Sequence, residues 1–306
     1  MLSKEEKQRR KFIRQEVKKK NFSLFYKEFG VNHRAWLKEL VKKYKERGKY
    51  PLSPLFLSDY YKDYGDKLLA TLTACLLLND NNRVMQQVLA VKRLFGDHPY
   101  EDLFSNRTFV QWSNGANQTK PVSHFGSVRY WQIAKLFDIV WNIEYDNGKT
   151  LFDIFFELIT LKEYTPYHAL LSLFEELPVN TPQKRINLVL LRLCGADGIS
   201  ERLWDLGGLE SKLECPNDKN VKAFLDIWIP KWNKTFLFNE VCDILGFTKE
   251  TDVYYCMLAF RELALSKPKD VKEYLKLYSM QLRHGTIGKD GRYQLKNKIP
   301  TISFCD

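Results

Sequence analysis

No two of the six cysteines (Cys75, Cys194, Cys215, Cys242, Cys256, Cys305) stand in C-x-x-C spacing. That absence excludes the common zinc sites and iron–sulfur clusters. The five histidines (His33, His98, His124, His168, His284) show no metal-ligand spacing either, so neither a metal nor a cofactor is expected. Free thiols in a reducing cytoplasm fit such scattered cysteines. Long hydrophobic runs are also missing. The longest, Leu68 to Leu78, covers about 11 residues, against the roughly 20 that a membrane-spanning helix needs. The opening MLSKEEKQRRKF has no apolar region, so no secretory leader is expected. Neither an internal repeat nor a low-complexity tract appears beyond the lysine-rich start.

What is present is a globular composition, 44% hydrophobic and 14% aromatic, with a formal charge of +11. Such a chain folds around a substantial core. The charge is uneven. Residues 1–50 hold 17 basic and 6 acidic side chains, residues 51–260 hold 21 and 26, and residues 261–306 hold 10 and 5. Basic ends around a mildly acidic middle suit a polyanionic partner, because lysine and arginine clusters release counterions from phosphates. A solvated N-terminal arm would give the same count.

Periodicity reads almost entirely helical. Trp36, Leu37, Leu40, Val41 and Tyr44 share one face of a helix over 33–47. Asp66 precedes KLLATLTACLLL, apolar nearly all round and therefore buried. Asn79 to Arg83 interrupt it, and RVMQQVLAVKRLF resumes up to Gly96 and Pro99. Further helices are predicted over 127–141, 150–160, 166–176, 184–193, 218–228, 236–245, 251–265 and 269–282. Residues 113–126 read as a polar loop, 195–213 as a glycine-containing excursion, and the last 20 or so as a short hairpin or coil. The expected class is all-α.

Five segments, taken in order, resemble the helix-hairpin-helix DNA glycosylase superfamily, in particular its endonuclease III-like branch. They are LLATLTACLLLNDNNRVMQQVLAVKRLF, FGSVRYWQIAKLFDIVW, LLSLFEELPVNTPQKRINLVLL, CPNDKNVKAFL and DVYYCMLAFRELALSKP. The similarity spans roughly residues 65–270. It implies a two-lobed helical fold: basic helices and linker at 1–60, a central barrel with a degenerate hairpin at 61–194, and a C-terminal lobe at 195–306. The chain ends would share one lobe. Departures are plain. The turn Val179-Asn180-Thr181-Pro182-Gln183 lacks the family's glycines, and Pro182 has no N–H to offer a phosphate. The stretch from Lys184 to Asp218 is long for the family, and no cluster cysteines follow Lys267-Pro268. The α-glutamyl/putrescinyl thymine pyrophosphorylases resemble glycosylases in the same way, and this chain is similar to them too.

The resemblance implies roles for particular residues. N-glycosidic cleavage passes through an oxocarbenium-like sugar, which a carboxylate stabilises. Asp218 matches the family's aspartate, though an aspartate before an apolar helix is also a common N-cap. Lys184 matches the lysine that forms a Schiff base in bifunctional members; contact with a backbone phosphate is the other reading. Asn79, Asn81, Asn82 and Arg83 fall where members probe the duplex after flipping a base, and equally suit an ordinary turn. Asn180, Thr181, Gln183, Arg185, Lys219 and Lys222 are implied DNA contacts. Tyr130, Trp131 and His124 are candidates for the base pocket, with core packing the competing role for the aromatics. Trp228 and Trp232, flanking Pro230 beside Lys231 and Lys234, read as a packed corner, with a face toward nucleic acid as the other reading. The implied protein is a monomeric, cytoplasmic enzyme that binds double-stranded DNA and excises a damaged or modified base, in repair or against phage DNA. Two alternatives stand beside it: metabolism of hypermodified thymine or hydroxymethylpyrimidine in DNA, and DNA binding without chemistry.

Overall fold

The computed structural model describes residues 31–46, 56–78, 84–105, 109–113, 119–123, 128–180, 182–196, 200–228, 238–284, 286–287 and 293–294. They are mostly helical, as the periodicity predicts. In chain order the helices are α1 (Val31–Glu46), α2 (Phe56–Asp59), α3 (Tyr64–Leu76), α4 (Val84–Phe95), α5 (Pro99–Ser105), α6 (Val110–Ser113), α7 (Tyr130–Asn147), α8 (Leu151–Thr160), α9 (Pro166–Leu173) and α10 (Pro182–Leu193). After a 3-10 turn at Leu209–Lys212 come α11 (Lys219–Trp228), α12 (Phe238–Leu245), α13 (Thr251–Ser266) and α14 (Pro268–His284). Strands β1 (Thr286–Ile287) and β2 (Tyr293–Gln294) pair antiparallel, the short hairpin of the two expected endings. No helix among the described residues is long and apolar enough to cross a membrane.

The chain forms two compact units, with boundaries at 46/47 and 218/219 rather than at 60/61 and 194/195. The described parts of 1–46 and 219–306 make one unit, and 47–218 make the other. Residues 195–218 belong with the helices before them for a physical reason. Trp204 is fully buried against Phe155, with ring centroids 4.8 Å apart, and donates Nε1–H to the Tyr64 hydroxyl at 3.1 Å. The amides of Leu203 and Trp204 also cap the end of α10 by donating to the Leu193 carbonyl at 2.8 and 2.7 Å.

In the 47–218 unit, α3 is buried on almost every side and packs most extensively on α10. A buried leucine on such a helix stabilises by about 1.5–3 kcal/mol. The start expected at Asp66 moves back, because Asp63 takes the N-cap position and Asp66 lies inside the first turn. There Asp66 is buried, and its Oδ1 accepts the Tyr100 N–H of α5 at 2.8 Å. Gly65 makes this possible: a Cβ there would lie 2.3 Å from the Tyr100 ring. Helix α8 opens with a capping box between Thr150 and Asp153, and α9 with the Thr165 N-cap followed by Pro166.

The second unit closes around aromatics. Trp36 of α1 lies 4.7 Å from Tyr274 and 6.1 Å from Trp228, ring centre to ring centre. Trp228 is therefore the packed corner expected of it; Trp232 lies outside the described residues. Lys45 pairs with Asp252 at 3.1 Å, tying α1 to α13. Arg34 donates to the carbonyls of Ile244 and Asp243 at 3.0 and 3.1 Å, satisfying the end of α12.

Candidate functional site

The turn between α9 and α10 is built by punctuation. Phe174 ends α9, and the Leu177 and Val179 amides donate to the carbonyls of Phe174 and Leu177 at 3.0 and 2.7 Å. Pro182 then starts α10, where its fixed φ is pre-set for helix and its missing N–H costs nothing. The next three residues, Gln183, Lys184 and Arg185, fan out from the first turn at about 100° intervals.

Each of the three reaches a different place. Lys184 Nζ lies 2.7 Å from Asp218 Oδ2. The Asp218 side chain is only 9% exposed and that of Lys184 27%, so this pair is largely shielded from solvent screening. Gln183 donates from Nε2 to the Cys215 carbonyl at 3.0 Å and accepts the Asn217 N–H on Oε1 at 2.7 Å. Arg185 donates from Nη1 to the carbonyls of Cys75 and Leu78, at 3.0 and 2.9 Å. It thus satisfies carbonyls at the end of α3, just before the stretch that carries Asn79. Burial lowers the Arg185 pKa. Its Nη1 faces carbonyls of the protein, not an outer surface, because α10 packs directly on α3.

Lys184, Gln183 and Asp218 are therefore brought together within the 47–218 unit. Asp218 is the last residue before α11, the position from which it was also expected to cap that helix. Lys219 and Lys222 lie exposed on α11, in the other unit. Asn180 is exposed in the turn. Tyr130 and Trp131 sit half-buried on the first turn of α7. Among the described residues, no hydrogen bond or ring contact joins their side chains to Lys184 or Asp218. Asn79, Asn81, Asn82, Arg83, His124 and Thr181 lie outside the described residues.

A cavity of about 770 Å³ lies behind the same turn, with Leu171, Phe174, Leu177, Val179, Pro182 and Ile186 in its wall. Pro182 and Ile186 are four residues apart and share a face of α10, whereas Lys184 points about 180° away from them. The cavity and the ion pair thus occupy opposite sides of one helix.

Two features were not anticipated from the sequence. Glu144 of α7 is buried, accepting the Tyr100 hydroxyl on Oε2 and the Leu151 N–H on Oε1 at 2.8 Å. A signal for it existed: Glu144 continues the apolar stripe Ile133, Leu136, Phe137, Val140 at helical spacing, and a carboxylate on a core stripe demands donors. The second is the one group among the described residues with metal-ligand geometry. Asp63, Asp66 and His98 each bring an atom within 4.8 Å of the others. His98 is 62% exposed, and Asp66 already serves the Tyr100 amide.

The five described cysteines are buried, with no disulfide among the described residues. Burial pushes the Cys194 and Cys242 thiols up to about 12, so they are inert thiols at neutral pH. Compared with family models, with curated proteins and with solved structures, the chain matches none.

Proposed function

We propose that the protein is a DNA glycosylase in which Asp218 assists departure of a damaged or modified base. The observation that carries this reading is the 2.7 Å pair of Lys184 with Asp218, two residues far apart in sequence that the family resemblance selects independently. Asp218 would face the sugar and stabilise the positive charge that develops as the N-glycosidic bond breaks, and orient the attacking water. Lys184 holds that carboxylate as an ammonium. To attack the sugar carbon itself, Nζ would have to give up a proton and turn away from Asp218. On this reading the partner is double-stranded DNA, gripped by the basic ends of a monomeric cytoplasmic protein with two glycosylase-like lobes. The base is reached by flipping.

One observation favours a second reading, action on hypermodified thymine or hydroxymethylpyrimidine in DNA. Gln183 and Arg185, implied phosphate contacts in the family, turn their polar ends onto backbone of the protein. With Pro182 donating nothing, the hairpin offers a duplex fewer phosphate ligands than the repair enzymes do.

The test is to incubate labelled duplexes carrying normal, damaged and phage-type modified bases and to count abasic sites. Wild type should produce them on at least one duplex, and Asp218→Asn should not. If both proteins bind DNA and both leave every duplex intact, the catalytic reading fails. Borohydride should trap no covalent adduct; an adduct that disappears in Lys184→Gln would establish lyase chemistry instead.

A further inference from the structure

We infer that Gln183 is the positioning residue of this site, the group that fixes Asp218, and that it is not a phosphate contact. The inference rests on reading Asp218 as the working carboxylate. Residues 213–218 form neither helix nor strand, so no regular ladder holds the segment that delivers Asp218. Gln183 supplies the missing rung. A side-chain carboxamide presents the same donor and acceptor as a peptide group. Here it donates to the Cys215 carbonyl and accepts from the Asn217 amide, the two groups that a neighbouring strand would engage. Cys215 and Pro216 are buried between those contacts, so the segment is clamped along its length.

The clamp and the ion pair are consecutive on both partners. Gln183 holds the Asn217 amide and Lys184 holds the Asp218 carboxylate. Their origin is the first turn of α10, whose direction Pro182 sets. Lys184 cannot do this alone, because a lysine is a point charge on a flexible four-carbon stem and follows its partner rather than placing it. A planar amide with both ends engaged defines position and orientation. Displacing a catalytic group by about 1 Å costs on the order of 100-fold in rate, so the clamp has catalytic weight without touching substrate.

The test uses the full chain and two variants. Gln183→Met keeps the shape and removes both bonds. Gln183→Glu keeps the acceptor for Asn217 and sets an oxygen against the Cys215 carbonyl. The first readout is amide hydrogen exchange at Asn217, which should be slow in wild type and quicken by about tenfold or more in Gln183→Met while amides of α13 keep their protection. Unchanged exchange at Asn217 removes the clamp, whatever the enzyme does. The second readout is the single-turnover rate on the duplex that wild type cleaves. We expect about a 10- to 100-fold loss in Gln183→Met, a smaller loss in Gln183→Glu, and a dissociation constant for the same duplex within about twofold of wild type.

A double-mutant cycle completes it. In an Asp218→Asn background, Gln183→Met should cost nothing further, because it acts through Asp218. An equal loss in both backgrounds would make Gln183 a general packing residue, and weaker binding with an unchanged rate would make it a phosphate contact. Either result overturns the inference. A clamp seen by exchange in a wild type that excises nothing from any duplex would sink the glycosylase reading and leave the clamp as local structure only.

Discussion

Two carboxylates in the 47–218 unit, buried Glu144 and half-buried Asp218, are held by opposite means. Glu144 takes one neutral O–H from Tyr100 and one neutral N–H from Leu151. The arrangement ties α5, α7 and α8 together. Asp218 takes a charged ammonium on a long side chain that still reaches solvent. The first arrangement is a closed structural joint. The second is an ion pair whose cationic partner is still 27% exposed. Burial alone does not distinguish the two carboxylates; the charge and freedom of the donor do.

The comparison can be broken most sharply at Asp218. Asp218→Asn keeps the size of the side chain and removes its charge. We expect the excision rate to fall roughly 100- to 1000-fold, with the urea midpoint almost unmoved. Glu144→Ala should do the reverse. Leaving the Tyr100 hydroxyl and the Leu151 amide without an acceptor should lower the unfolding free energy by about 3 kcal/mol, with the excision rate per folded molecule unchanged. If Glu144→Ala abolished excision in folded protein, the division between the two sites would be false.

Arg185→Met extends the comparison along α10. Losing the charge-assisted bonds to the Cys75 and Leu78 carbonyls should destabilise by about 2 kcal/mol, while the salt dependence of DNA binding keeps its slope. A slope reduced by about one unit would return Arg185 to the phosphate contacts.

Asp66 gives a smaller, pH-dependent effect. Burial raises its pKa above the ordinary carboxylate value, with the Tyr100 N–H and His98 opposing. A raised folded value means that the folded state binds the proton more tightly. The stabilisation by that proton is complete below the unfolded value near 3.8 and is lost as pH rises through the folded value. Asp66→Asn can still accept the Tyr100 N–H through its side-chain oxygen but carries no charge to bury. Its stability relative to wild type should therefore rise between acid and neutral pH by less than about 1 kcal/mol. The opposite trend in paired denaturation curves would show that the His98 contact dominates. The smallest signal is chemical: Cys194 and Cys242, with thiols near 12, should resist alkylation at pH 8 until the protein unfolds.

The helices were legible where one face repeats. Trp36 to Tyr44 and KRINLVLLRL fall inside helices near the bounds that their periods predict, and KLLATLTACLLL does so up to Leu76, two residues short of its end. The shortest helices, α2, α5 and α6, were not. Pro99 reads as a stop after α4, yet a proline equally opens a helix, and it opens α5. The stretch 195–213 looked like an excursion because Trp204 shows its reason only against Phe155 and Tyr64, far away in sequence. No spacing rule links Lys184 to Asp218, so their pairing shows only in the folded chain. Gln183 and Arg185 carry polar ends that suit phosphate equally well, and which way they turn depends on helices packed beside them. Local pattern finds the elements, and tertiary packing decides what their polar side chains serve.

The most direct measurement compares abasic-site formation by wild type and Asp218→Asn under single-turnover conditions. Both would be assayed on one duplex at matched, saturating protein, with binding and circular dichroism recorded for each. The account predicts equal folding, binding within about twofold, and a rate for Asp218→Asn lower by at least about 100-fold. Equal rates in the two proteins would contradict it and remove Asp218 from the chemistry.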